Sequence, residues 1–195
     1  QVHIKATTQT KLPDGRQMGA VGDVQVDPDG IHIWAVIRCD ASEPGRFGNE
    51  CLDSDLDPIL KFDTEGNVVE SFGSGLFIWP HGLFVDAESN VWVTDAVSPQ
   101  RTPEGTRGHQ VIKFSSTGEI LMVLGDPGQA GKGIYQFNAP GDVVVGDNVT
   151  IGAMSQINSH CCIGNNVSIG INTLLHANVK LMRDVVIGDY CLFHS

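Results

Sequence analysis

Basic side chains are scarce: the 195-residue chain has 12 Lys and Arg against 23 Asp and Glu, a net charge of −11. Phosphate-backbone binders and polybasic membrane binders both need clustered Lys and Arg, so nucleic acid and charged lipid surfaces are set aside as partners. Long apolar runs are missing as well. No stretch approaches the roughly 20 residues of a membrane span, and no basic-then-apolar signal segment is present. The 5 cysteines form no CxxC pair, which argues against a thiolate zinc ribbon. Walker loops, a G-x-G-x-x-G turn opening a helix, a G-x-S-x-G elbow and HExxH are all absent. Between residues 20 and 125 no long run has apolar residues at three-and-four spacing, and Gly or Pro interrupts every candidate helix. The chain opens on Gln1, as a processed form or a piece of something longer would.

What remains is a chain with 41% apolar residues and 23 Gly. It is long enough to bury a core in one domain of about 150 residues or in two small ones. Small molecules, peptides, metals or proteins are its expected partners.

Two periodicities divide it. Ile59-Leu60-Lys61-Phe62-Asp63-Thr64-Glu65-Gly66 and the residues to Gly73 recur as Val111-Ile112-Lys113-Phe114-Ser115-Ser116-Thr117-Gly118 and onward to Gly125. A second unit, Gly22-Asp23-Val24-Gln25-Val26-Asp27, recurs as Gly82-Leu83-Phe84-Val85-Asp86 before the strand-like Asn90-Val91-Trp92-Val93-Thr94-Asp95. Alternating apolar residues around Gly, Asp or Asn turns predict hairpins. Four short strands per repeat predict a propeller blade.

After Pro140 the period becomes six. Val145, Ile151, Ile157, Ile163, Ile169, Leu175, Leu181, Ile187 and Phe193 fall in phase, and small or apolar residues such as Val149, Ser155, Cys161, Val167, Thr173, Val179, Val185 and Cys191 follow four positions later. Apolar, often Gly, two polar, small is the hexapeptide repeat of a β-helix. Cys161, Cys162 and Cys191 are read as packing thiols. Cys39 and Cys51 bracket a polar loop, and a disulfide and two free thiols are equally weighted.

The words Leu76-Phe77-Ile78-Trp79-Pro80-His81-Gly82-Leu83, Asn90 to Asp95, and His109-Gln110-Val111-Ile112-Lys113-Phe114 resemble an NHL-repeat propeller of the peptidyl-α-hydroxyglycine α-amidating lyase type, over roughly residues 12–145. The resemblance implies a six-bladed propeller with a central zinc held by His from three Pro-His motifs, a catalytic Arg and Tyr, and a calcium held partly by backbone carbonyls. Carried over by motif, His81 resembles a zinc ligand, Arg38 in Ala35-Val36-Ile37-Arg38-Cys39 the active-site arginine, and Leu83 a calcium-binding carbonyl. The other two Pro-His motifs and the Tyr belong to blades without a counterpart here. From Gly146 onward, Ile163-Gly164-Asn165-Asn166-Val167-Ser168-Ile169-Gly170 and Asp184-Val185-Val186-Ile187-Gly188 are similar to the left-handed β-helix of hexapeptide acyltransferases, closest to the UDP-3-O-acylglucosamine N-acyltransferase type. That family's general-base His lies several coils farther on, and His176 is the substitute worth testing.

The expected architecture is all-β. Residues 1–140 form a partial NHL-repeat propeller of about two and a half blades, and residues 141–195 a short left-handed parallel β-helix. Gly141-Asp142-Val143-Val144-Val145 fits both patterns and marks the seam. The leading expectation is a catalytically incomplete hybrid whose larger part resembles the zinc lyase. A homotrimeric binding scaffold built on the β-helix and a lipid-A-type N-acyltransferase are the alternatives. The propeller half points to an exported protein and the β-helix half to a bacterial cytoplasm.

Against these stand simpler roles. His81 reads first as a core histidine bonded to backbone carbonyls, since one ligand does not hold zinc, with His109 the other imidazole of that region, and His32 as a strand-surface residue. Arg38 reads as the partner of an acid such as Asp40, and Asp27, Asp86 and Asp95 as turn or strand-end acids. His160, His176 and His194 read as corner or surface imidazoles, and Trp34, Trp79 and Trp92 as packing aromatics.

Overall fold

The computed structural model describes residues 12–39, 50–102, 105–133, 136–144, 146, 148–157, 162–176 and 179–194. Asp40, Val145, His160 and Cys161 lie outside them. The described part is all-β, with eight strands of four to six residues followed by eight of two. No helix among the described residues is long and apolar enough to cross a membrane.

Strands β1 (Val21–Val26), β2 (Ile33–Ile37), β3 (Ile59–Phe62) and β4 (Val68–Phe72) form one antiparallel sheet in chain order. Strands β5 (Pro80–Val85), β6 (Val91–Asp95), β7 (Val111–Phe114) and β8 (Ile120–Leu124) form a second of the same order. Two antiparallel four-stranded sheets in tandem are consistent with a partial propeller. The turns explain why the strands stop. Asp63 Oδ1 accepts the N–H groups of Glu65 (3.0 Å) and Asn67 (2.8 Å), and Asp86 Oδ1 those of Glu88 (3.2 Å) and Asn90 (2.8 Å). Ser115 Oγ does the same for Thr117 and Glu119. These side chains offer the backbone a turn in place of a ladder, and Gly66 and Gly118 supply the positive φ (83° and 86°) that closes two of them. Gly118 has a second reason to lack a side chain, because a Cβ there would meet the Phe72 ring at 2.7 Å.

The sheets share one core of Trp34, Val36, Ile59 and Phe72 from the first and Leu83, Val85, Val91, Val93, Ile112 and Phe114 from the second, with Phe77 between them. Phe72 is the hinge of this contact, with its ring 5.6 Å from Trp34 and 5.2 Å from Phe114. Along the facing edges, side chains of β1 take up backbone donors of β5: Asp23 Oδ2 accepts Leu83 N–H at 3.1 Å and Gln25 Oε1 accepts Val85 N–H at 2.5 Å.

From residue 148 the pairing becomes parallel, at a constant 18-residue offset. β9 (Thr150–Ile151), β12 (Ser168–Ile169) and β15 (Val186–Ile187) stack in one column. β10 (Gln156–Ile157), β13 (Leu174–Leu175) and β16 (Leu192–Phe193) form a second, and β11 (Cys162–Ile163) and β14 (Lys180–Leu181) a third. Ile163, Val167, Ile169, Leu175, Val179, Leu181 and Ile187 are buried together. Three hexads therefore carry the chain once round. The corners obey the same count: Asn148, Asn166 and Asp184 have φ of 55°, 57° and 62°, and Met154, Asn172 and Tyr190 have 62°, 53° and 56°. One cysteine departs from expectation. Cys191 packs on this core, whereas Cys162 is exposed, because it precedes the inward Ile163 and alternation turns its thiol to solvent.

Candidate functional site

The two residues singled out for chemistry, Arg38 and His81, both contact one indole, that of Trp79. Arg38 Cζ lies 4.5 Å from the Trp79 ring centroid, and the His81 ring stands edge-on to the same indole at 5.7 Å. Both are half-buried. Arg38 Nε is buried with no hydrogen-bond partner, so the indole face is the main compensation for that end of the guanidinium. The His81 ring has a defined tautomer. Its Nδ1 is 2.9 Å from Gly141 O, a carbonyl can only accept, and the hydrogen therefore sits on Nδ1 and the lone pair on Nε2.

Several interactions hold this cluster. Asp95, at the end of β6, accepts the N–H groups of Ile78 (2.7 Å), Trp79 (3.0 Å) and Val97 (3.3 Å), fixing the segment that leads through Pro80 to His81. Burial pushes the Asp95 carboxyl above its ordinary range in spite of those three donors. Cys39 and Cys51 are joined in a disulfide, and Cys51 N–H donates to Ile78 O at 3.1 Å. The bridge thus fastens the residue after Arg38 to the strand end that presents Trp79. Arg107 adds donors to Leu52 O (2.6 Å) and Gly75 O (2.9 Å) on the same loops.

Other candidates go elsewhere. His109 is fully buried, and both of its nitrogens are used: Ala139 N–H donates to Nδ1 at 3.1 Å and Nε2 bonds Thr102 Oγ1 at 2.9 Å. Burial lowers its pKa, in keeping with a neutral structural imidazole. His32 is not in a strand. It precedes β2 and pairs with Asp29 at 2.6 Å across the turn. The Leu83 side chain belongs to the core. Among the described residues no group of three or more His, Cys, Asp or Glu is arranged to hold a metal. His81 fits a metal by its chemistry, since ligating histidines donate the other ring N–H to a carbonyl or carboxylate, but it fits as one ligand only.

Asp27 and Asp86 do more than turn the chain. Asp27 Oδ2 accepts from Trp34 Nε1 (2.7 Å) and Lys61 Nζ (2.8 Å), with Lys61 Nζ 5.1 Å from the Trp34 ring centroid. Asp86 Oδ2 repeats this with Trp92 Nε1 (3.1 Å) and Lys113 Nζ (3.1 Å), the ammonium 4.8 Å from the indole. Burial raises both carboxyls, but the bonds from Lys61, Asp29 and Trp34 leave Asp27 below the ordinary range, and those from Asn90, Trp92 and Lys113 do the same for Asp86. The available signal was the shared order of Asp, Trp and Lys in the two repeats, 7 and 27 residues apart in the first and 6 and 21 in the second.

In the coils, His176 and His194 are stacked, 4.2 Å apart and 15° from parallel. Their separation of 18 residues predicts it, since both follow an inward residue, Leu175 or Phe193.

Comparison with known proteins bears on the sheets. No protein-family model matches the chain. It is 33% identical over 141 residues, 68% of this chain, to a probable peptidyl-α-hydroxyglycine α-amidating lyase of Caenorhabditis elegans, of which it spans 37%. It is 41% identical over 94 residues to NHL repeat-containing protein 3 of Mus musculus, 46% of this chain and 25% of that protein. Over 86 residues it is 40% identical to peptidyl-α-hydroxyglycine α-amidating lyase 1 of Drosophila melanogaster, 43% of this chain and 14% of that one. The chain thus spans well under half the length of these relatives.

Proposed function

We propose that residues 1–140 are blades of a zinc-dependent amidating lyase, which cleaves the C–N bond of a peptidyl-α-hydroxyglycine to release glyoxylate and a peptide amide. The similarity to the Caenorhabditis elegans protein carries this reading. In it, His81 offers Nε2 as one zinc ligand and Arg38, held over the Trp79 ring, presents its guanidinium to the substrate. The Leu83 carbonyl is assigned to calcium. Zinc in such a site polarises a substrate oxygen and takes three protein ligands. This chain's described residues offer one, so the chain alone is proposed to be catalytically incomplete. Glyoxylate release from a peptidyl-α-hydroxyglycine, assayed with zinc, tests this. No turnover, with weak zinc binding that disappears in His81→Ala, is expected, and turnover by the chain alone overturns the incompleteness.

A second reading covers residues 141–195, proposed as a domain separate from 1–140. The 18-residue parallel pairing supports a short left-handed β-helix there. We assign it a scaffold role, with three copies associating through the coils. Sedimentation equilibrium should give a discrete trimer, and a monomer refutes it. If the module instead retains acyl transfer, His176→Ala should abolish that activity.

A further inference from the structure

We propose that Asn148 is an N-glycosylation site, taking an oligosaccharide from a lipid-linked pyrophosphate donor. Two Asn-x-Ser/Thr acceptor sequences occur, Asn148-Val149-Thr150 and Asn166-Val167-Ser168, and neither has Pro in the middle. Their separation of 18 residues places them on adjacent coils at one corner, where both asparagines are exposed and have φ of 55° and 57°. An independent observation sets the compartment. The Cys39–Cys51 disulfide belongs to an oxidising environment, which is also where this transfer takes place.

The corner distinguishes the two acceptors. Asn148 Nδ2 donates to Asn166 Oδ1 at 3.0 Å, and Asn166 Nδ2 donates to Asp184 Oδ1 at 2.8 Å. Asn166 is therefore bracketed by a neighbour on each side, whereas Asn148 is the last rung of the ladder. Neighbouring strands are about 4.8 Å apart, narrower than a sugar ring, so two oligosaccharides on adjacent rungs collide. Modification at Asn148 also preserves the ladder. Its amide has two hydrogens, one of which stays on Asn166 while the other is replaced. In the transfer, Asn148 Nδ2 attacks the anomeric carbon of the first sugar. The new C–N bond replaces the C–O bond to pyrophosphate, the amide proton is lost, and the lipid pyrophosphate departs, with no change in oxidation state.

The test translates the full chain behind a cleavable secretion signal into microsomes and analyses only the protease-protected product. Peptide N-glycosidase in heavy-oxygen water converts a modified Asn into a mass-labelled Asp. One oligosaccharide per chain is expected, with the label at Asn148. Thr150→Ala should abolish it while leaving the Asn148 side chain in place, and Thr150→Ser and Ser168→Ala should keep it. Closure of Cys39–Cys51, read by thiol labelling, is scored on the same samples so that misfolding is not mistaken for a lost site. Protected, disulfide-closed chains without label at Asn148, or with label only at Asn166, overturn the proposal.

Discussion

The paired sheets and the stacked coils bury apolar residues by opposite means. In the sheets, each core residue is met by partners remote in sequence: Phe72 touches Trp34 and Phe114, 38 and 42 residues away. In the coils, each strand residue described is in register with one 18 residues away, and two-residue strands suffice because the column repeats. The sheets are therefore expected to unfold as one unit, and the coils to loosen turn by turn. The difference also separates the candidate sites. Arg38 and the Trp79–His81 segment are brought together from two parts of the chain by a disulfide and by Asp95, whereas His176 and His194 stack because the count brings them there.

The sharpest test of that contrast compares Phe72→Ala with Leu175→Ala. Phe72→Ala should cost about 4 kcal/mol and shift the urea transition of both sheets together. Leu175→Ala, costing about 3 kcal/mol, should raise amide exchange in the coils and leave the sheet amides protected. Equal exchange in both regions would show a single cooperative unit. Next in size, Asp95→Ala strands two backbone donors at the entrance to β5 and one after β6 and should cost about 3 kcal/mol in the same melts. Its local signature is a change in Trp79 fluorescence, as the indole leaves Arg38.

A smaller, graded effect comes with pH. His109 has a folded pKa below its ordinary 6.5, so the unfolded chain takes up the proton first and stability rises with pH through that window. The contribution is complete above about 6.5 and is lost as pH falls below it. His109→Asn, which tolerates the φ of 57°, should flatten this part of the profile in urea melts at successive pH values. The smallest change is Asn166→Ala. It removes two exposed ladder bonds and should cost about 0.5 kcal/mol, visible as faster exchange at the corner only.

The strands and turns of both regions were legible because they rest on local rules. Asp63, Asp86 and Ser115 announce turns by their own side chains, and the six-residue period stacks Ile151, Ile169 and Ile187 in one column, of which Ile169 and Ile187 are buried. Cys162, expected to pack, is exposed because it stands one position before the inward Ile163. The stacking of His176 on His194 follows from the same 18-residue count.

The site was legible only as names. His81 and Arg38 stand out in the sequence, but 43 residues separate them, and nothing local says that Trp79 touches both or that Gly141 fixes the imidazole tautomer. Those contacts depend on where two sheets come to rest against each other. Features that depend on near neighbours are written locally: strand alternation, turn chemistry, the six-residue period and the acceptor words at Asn148 and Asn166. The state of Cys39 and Cys51, the environment of Arg38 and the Asp27 and Asp86 bonds to Trp and Lys arise on folding. Each of these is a contact between segments whose separation in sequence carries no information about their distance in space.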